Sequence, residues 1–256
     1  MKSRFTAFMD GVSLNEIDDR ILITEVMHYP ATAKYDTTAI AKRTGSNIIK
    51  ENYTYTECRI SFMLRVYRVD ERQRVCSEIA RWANGKVLEV GDRPGQILRC
   101  VCTQKPAINS AEFWLREITM IFAGYDTPFW EEKLPSELTL DGDDAEGYLF
   151  VPGNIGKPLV GVEVTPKSGT LTNIVLTVDD YSITLANLNV STSETLTISY
   201  DERQIQSIKV GEVSVLSKRT SASSDDLIAK VGDKSECAVI ANVPVRAKFT
   251  ARGLWL

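Results

Sequence analysis

The chain contains one histidine, His28, the one side chain whose ordinary chemistry suits a general base at neutral pH. It lies between Met27 and Tyr29 at the end of a short apolar run. The sequence lacks a GxSxG nucleophile elbow, an HExxH helix and a glycine-rich phosphate loop. We therefore predict that His28 is an ordinary surface or core residue and that the protein is not an enzyme.

Metal chemistry would need a cluster of thiol, imidazole or carboxylate ligands. The five cysteines form no CxxC pair, and a zinc site needs about four close N or S ligands. Free cysteine behaves as a small hydrophobe, so we expect structural thiols and neither a metal nor a cofactor. The cysteines are Cys58, Cys76, Cys100, Cys102 and Cys237.

The acidic stretch at residues 141–147 lacks the ligand spacing of a calcium-binding EF-hand loop. Counted from Asp141, position 5 is Ala145, position 6 is Glu146 and position 12 is Pro152, whereas the loop requires a ligand, glycine and glutamate there. The stretch is therefore predicted to be a solvated turn in a linker.

Charge and hydropathy exclude two further classes of partner. Residues 1–136 carry 19 Lys and Arg against 18 Asp and Glu, and residues 137–256 carry 11 against 16. Neither half has the concentrated basic surface that nucleic-acid binding requires. No apolar run approaches the roughly 20 residues that cross a bilayer, and no secretory signal is recognisable. We expect synthesis in a cytoplasm, without direct nucleic-acid binding or membrane insertion.

The elements of the first half are predicted to be strands with one helix. Within residues 53–69, Cys58, Ile60 and Phe62 alternate with polar residues, which predicts a half-buried strand. The alternation of residues 111–123 slips after Leu115, which predicts a bulge. Further strands are expected at residues 5–9, 21–27, 86–90 and 96–103.

The helix is predicted to follow the long strand. Asp70 and Gln73 have the spacing of a capping box. Val75, Ile79 and Trp82 then share one helical face, and Asn84-Gly85 is expected to end the helix through a left-handed glycine cap.

The second half is predicted to be an antiparallel β-sandwich, because short apolar strands and turns alternate regularly along it. The charged, proline-containing residues 131–137 separate the halves. The predicted fold class is thus mainly β. A β-barrel-like domain with one α-helix (residues 1–136) precedes a galectin-like sandwich domain (residues 137–256).

The order of motifs resembles that of the distal tail protein family of siphophages, also called the siphovirus tail component family, along essentially the whole chain. The helix ending Ile79-Ala80-Arg81-Trp82-Ala83 departs from the family's pattern at Ala83, where leucine is usual. The other segments that carry the resemblance are Phe8-Met9-Asp10-Gly11, Arg43-Thr44-Gly45, residues 86–92, Pro152-Gly153-Asn154-Ile155-Gly156, Val164-Thr165-Pro166, residues 195–200 and Trp255.

This resemblance implies a structural hub at the distal end of a phage tail, in the virion. The first domain would build a homohexameric ring, single or doubled, and the sandwich would project outward. The implied partners are the major tail tube protein, the tail-associated tip protein and, in some relatives, a receptor-binding protein. Contractile tails and gene-transfer particles have similar hubs, so the type of tail stays open.

Ring closure requires different patches on neighbouring subunits to meet. We expect the connection that contains Arg43, Thr44, Gly45, Ser46 and Asn47, with the long strand after it, to reach a neighbour. A plain hairpin loop that faces solvent is the alternative.

A carbohydrate-binding module is the alternative function. It would need an exposed aromatic platform with polar groups nearby, and the second half offers Tyr148, Tyr181, Tyr200 and Trp255.

Overall fold

A computed structural model describes residues 5–39, 46–106, 115–125, 127–201 and 204–256. The described chain is mainly β, which confirms the predicted fold class. The helices are α1 (Leu14–Ile17) and α2 (Val69–Trp82). The strands are β1 (Ala7–Met9), β2 (Val12–Ser13), β3 (Ile21–Tyr29), β4 (Ala33–Ala39), β5 (Ser46–Tyr53), β6 (Glu57–Leu64), β7 (Val87–Val90), β8 (Gln96–Gln104), β9 (Leu115–Gly124), β10 (Trp130–Glu132), β11 (Ser136–Phe150), β12 (Gly161–Pro166), β13 (Ile174–Val178), β14 (Tyr181–Leu185), β15 (Leu196–Tyr200), β16 (Gln206–Val210), β17 (Val213–Ser214), β18 (Lys234–Ala251) and β19 (Leu254–Trp255).

The chain forms two compact units. The first contains residues 1–130 together with Leu256, and the second contains residues 131–255. The predicted domain boundary after residue 136 falls within the first residues of β11 and stays a prediction.

The first unit is a curled sheet in the order β2-β1-β7-β8-β9-β6-β3. It starts with a tight hairpin, in which Asp10 has φ 51° and Gly11 has φ 81°. Positive φ at both positions is what a type I′ turn between twisted strands requires. The Asp10 carboxylate also accepts a hydrogen bond from the backbone N–H of Val87 (2.9 Å), which fastens the turn to the start of β7.

The long central strand has the predicted periodicity. Cys58, Ile60, Phe62 and Leu64 are all fully buried. The predicted bulge is confirmed, because the β6–β9 register shifts between Phe62 and Leu64, opposite Ile118 and Leu115. Two positions separate Phe62 from Leu64 on β6, whereas three separate Ile118 from Leu115 on β9. Strand β9 therefore contains the extra residue of the bulge.

Helix α2 packs its predicted apolar face on this sheet. Val75, Ile79 and Trp82 are buried, and the Trp82 ring meets Phe122 edge-on at 5.9 Å. The predicted capping box is wrong: the helix begins after Arg68, which makes no side-chain cap, so Asp70 lies in the first turn. There its negative charge interacts favourably with the positive end of the helix dipole.

Gly85 has a different role from the predicted left-handed cap, since its φ is not positive. A Cβ atom at this position would lie 2.2 Å from Cγ of Met9 and 2.6 Å from Oδ2 of Asp10. The glycine is therefore required by the close approach of the β1–β2 turn. A capping box does occur in the preceding helix, α1, where Ser13 and Glu16 cap each other's backbone N–H groups.

The second unit is organised by β18, which pairs with β11 along its length. On its other side, residues 237–241 pair with β13 and residues 245–250 pair with β12. The β11 register shifts between Gly142 and Asp144, opposite Val245 and Ile240. Strands that pass between packed sheets do so at such irregularities. Strand β18 therefore joins β13 and β14 to β12, β15, β16 and β17.

The acidic stretch at residues 141–147 lies inside β11, so the predicted linker turn is wrong. Asp141 forms an ion pair with Lys167 (2.9 Å), and Glu137 forms one with Lys248 (2.8 Å). β11 pairs only with β18 in the described part of the chain. Charges on an edge strand hinder unwanted strand addition, which accounts for the acidic composition.

Candidate subunit interface

The predicted interface residues fall in and around a β-hairpin. Arg43, Thr44 and Gly45 lie outside the described residues. Ser46 and Asn47 begin β5, where they pair with Ala39 and Thr38.

Strands β4 and β5 form a two-stranded sheet of their own, which we call the ribbon. Neither strand pairs with any other described strand. Isolated two-stranded hairpins are marginally stable in water, and stability normally comes from a third strand or a packed face. A strand from another chain could supply such a third strand for the ribbon.

The base of the ribbon, in contrast, is firmly held. Thr56 is fully buried, and its hydroxyl donates to the carbonyl oxygen of Pro128 (2.7 Å). The same hydroxyl oxygen accepts from the backbone N–H of Ala31 (3.3 Å). Tyr53 meets Phe129 edge-on at 5.1 Å. The ribbon thus leaves the sheet from a fixed position.

Exposed apolar side chains lie near the ribbon along the chain. Tyr29 ends β3, Tyr35 lies two positions into β4, and Tyr55 follows β5; their exposed fractions are 41%, 52% and 55%. Met27 is 37% exposed, and its sulfur accepts a hydrogen bond from the Tyr29 hydroxyl. We call these four residues the aromatic patch. Tyrosine is enriched in protein interfaces because it offers a rigid apolar surface with a polar end.

Strand β3 adds a sheet edge to the same region. It is the last strand of the sheet order, with β6 on one side and no described strand on the other. An edge of this kind can recruit a strand from another molecule. The ribbon, the aromatic patch and the β3 edge together offer backbone and apolar contacts suited to a protein partner.

The single histidine lies on β3 and helps to hold the curl of the sheet. Its Nε2 atom is 2.8 Å from Oδ2 of Asp92, in the turn after β7. Its ring meets Trp130 edge-on at 5.4 Å, and the Arg93 guanidinium lies 5.2 Å from the centre of the Trp130 ring. His28 therefore has a structural role that joins β3 to a distant turn. Its sequence neighbours gave no signal of this, because Asp92 and Trp130 are far away along the chain.

The cysteines are free thiols. Cys58 pairs with His28 in the β3–β6 register, and burial raises the pKa of its thiol. Burial also raises the pKa values of Cys100 and Cys237 to about 12. Thiols rather than thiolates are therefore present at neutral pH, and thiols are poor nucleophiles.

Within the described ranges, no group of three or more His, Cys, Asp or Glu side chains could hold a metal ion. The same ranges contain no helix of the length and apolarity needed to span a membrane.

The candidate carbohydrate-platform tyrosines differ in environment. Tyr200 is half-buried, and its hydroxyl accepts hydrogen bonds from the Leu227 N–H (3.1 Å) and from the Gln206 amide (3.2 Å). Tyr181 is half-buried, whereas Tyr148 is 65% exposed on β11. Of these three, only Tyr148 offers an open ring.

No protein-family model matches the sequence, and no curated protein matches it. Among solved structures, the chain is similar to the Dit protein of phage SPP1, described as a paradigm of the hub adsorption apparatus in phages that infect Gram-positive bacteria. That likeness has a TM-score of 0.71 at 15% identity and covers 97% of this chain and 98% of the SPP1 chain. It shows a shared fold along both chains.

Two structures of the phage P2 baseplate in its activated conformation also match. The one with Ca has a TM-score of 0.47 and covers 99% of this chain and 98% of its own. The one with Sr has a TM-score of 0.46 and covers 97% of each chain. Both share 6% identity with this chain, and likenesses of this size support no conclusion.

Proposed function

We propose that the protein is a structural, non-enzymatic hub of a phage tail tip. In this role it forms a homohexameric ring that joins the tail tube protein to the tip proteins. The observation that carries the proposal is the likeness of the whole chain to the SPP1 Dit protein. A fold by itself does not define a function, so the proposal also depends on the surfaces described above.

The first unit supplies surfaces of the kind that ring closure needs. A closed ring requires heterologous contacts, in which each subunit presents one patch and receives another. The ribbon, in which Ser46 and Asn47 begin β5, is the presented element, and the aromatic patch with the β3 edge is the adjoining apolar surface.

The first test is the solution mass of the purified chain by light scattering, with negative-stain imaging. A ring of six 28.6 kDa subunits has a mass of about 172 kDa, and two stacked rings have twice that mass. If the protein stays monomeric both alone and with purified tail tube protein, the ring proposal is wrong.

A second experiment assigns the interface. Tyr29→Ser with Tyr55→Ser should dissociate the ring, because both changes remove exposed apolar area from the aromatic patch. Deletion of residues 44–49 should have the same effect. Tyr67→Ser is the matched control, since Tyr67 is 64% exposed just before α2. An intact ring after the deletion would show that the ribbon end faces solvent.

A further inference from the structure

The second unit carries an exposed sheet face that the hub role does not use. This outer face is formed by the end of β11, the start of β18, and strands β13 and β14. Alternate residues point inward, and Leu149, Val239 and Leu176 are buried. The residues between them point outward: Asp144, Glu146, Tyr148, Phe150, Lys234, Glu236, Ala238, Ile240, Val175, Thr177, Ser182 and Thr184.

Two aromatic side chains of β11 lie on this outer face, two residues apart along the strand. Tyr148 is 65% exposed and Phe150 is 52% exposed. Residues i and i+2 of a strand share a face, so both rings are presented to the same side. Large apolar groups exposed together on a folded surface mark binding sites more often than single ones do.

Ala238 has the smallest outward side chain of this face, with polar residues opposite it on both neighbouring strands and the exposed Ile240 next to it on β18. Ala238 lies opposite Glu146 on one side and Thr177 on the other. The next row of the sheet pairs Tyr148 with Glu236. Direct and diagonal neighbours in a sheet lie roughly 5 and 7–8 Å apart. A ligand over Ala238 would therefore lie beside Glu146 and within reach of Tyr148 and Glu236.

The groups around this space define the chemistry of an occupant. Ionised carboxylates only accept hydrogen bonds, and the side chains of Glu146 and Glu236 have no partner in the described part of the chain. They suit a ligand with several hydroxyl donors. The Tyr148 ring suits an apolar C–H surface beside those hydroxyls. A sugar ring combines both properties.

Charge decides which class of sugar polymer fits. Residues 137–256 carry 11 Lys and Arg against 16 Asp and Glu, and three carboxylates lie on the outer face itself. Polyanions would be repelled from such a surface. We propose that the outer face binds a neutral hexose polysaccharide, with Tyr148 as the stacking platform and Glu146 and Glu236 as hydroxyl acceptors.

The test is isothermal titration calorimetry on the full-length protein. The probes are soluble dextran, laminarin, mannan and galactan, with polygalacturonate as the acidic comparison. We expect at least one neutral polysaccharide to bind, and Tyr148→Ala to weaken its binding about tenfold. Tyr67→Ala, with nearly the same exposed fraction, is the matched control and should leave affinity within about twofold.

A second variant tests the carboxylates. Glu236→Gln keeps the side-chain shape but replaces one acceptor oxygen by a donor group, so we expect weaker binding of the same polysaccharide. The proposal is overturned if none of the four neutral probes binds, if Tyr148→Ala behaves like Tyr67→Ala, or if polygalacturonate binds as tightly. It is also overturned if no sugar binds and Tyr148→Ala instead weakens association with purified tail proteins, because the face is then a protein-docking surface.

Discussion

Replacement of Thr56 by valine removes one hydroxyl from the buried base of the ribbon while nearly preserving side-chain volume. The hydroxyl makes two hydrogen bonds, to the carbonyl of Pro128 at 2.7 Å and from the N–H of Ala31 at 3.3 Å. Pro128 keeps a second donor, since the backbone N–H of Thr56 also reaches its carbonyl oxygen at 3.1 Å. The buried N–H of Ala31 loses this partner.

The expected loss of stability follows from the unsatisfied N–H of Ala31, because Pro128 keeps a hydrogen-bond donor. An unsatisfied buried donor costs roughly 1–3 kcal/mol, and the added methyl group recovers part of it, so we expect the free energy of unfolding to fall by about 2 kcal/mol. In a protein of this size, the unfolding midpoint should fall by about 4–8 °C. Urea denaturation followed by tryptophan fluorescence measures the free energy, and calorimetry measures the midpoint.

Thr103→Val is the matched control, because the Thr103 hydroxyl donates to the carbonyl of Ile121 at an exposed position (3.2 Å). Its cost should stay within about 0.5 kcal/mol. Equal losses in the two variants would refute the argument that burial makes the Thr56 network important. We also expect the ring of Thr56→Val to dissociate at higher protein concentration than the wild-type ring.

Three further predictions concern other parts of the molecule. Gly85→Ala should lower the free energy of unfolding by about 1–3 kcal/mol because its Cβ would overlap Met9, and unchanged urea denaturation would contradict this. Hydrogen bonds from Arg20 lower the pKa of Asp18, so its stabilisation is present above the ordinary value near 3.8 and is lost as pH falls through the lower, folded value. Asp18→Asn should therefore cost about 1 kcal/mol at pH 7 and nothing at the lowest pH, and a pH-independent difference would be inconsistent with this ion pair. Residues 131–256 expressed alone should unfold cooperatively, whereas a broad, non-cooperative transition would oppose the two-domain division.

The features recognised correctly from sequence are those that local periodicity determines. Alternation identified β6 and the bulge in β9, and the 3.6-residue spacing identified the buried face of α2. These signals are strong because one face of each element is buried in the same chain.

The elements that were missed lack such a signal. Strands β4 and β5 pair with no other described strand, and apolar and polar residues do not alternate clearly along their sequences. The acidic part of β11 resembles a turn because it lies at a sheet edge, where charge is favoured.

The roles of residues that depend on contacts far away in the sequence also could not be predicted. The role of Gly85 depends on a turn 75 residues earlier, and that of His28 on Asp92 and Trp130. Predicting which residues lie side by side on the outer face would require the register between β11 and β18, and no local sequence pattern specifies that register. Tyr148 could be named from sequence as an available aromatic, but its neighbours Glu236 and Ala238 could not.

The pairing of Ser136 with Ala251 has a mechanical consequence. Because the first residue of β11 lies beside the last residue of β18, tension applied at these two points would load the ladder from one end. Its hydrogen bonds would then open in succession, as in a zipper, instead of resisting together in shear. The seven residue pairs from Ser136 to Gly142 would separate first and release about 23 Å of β11 before the opening reached the register shift, while residues 245–250 of β18 stay paired with β12. The sandwich would thus lengthen in stages under load.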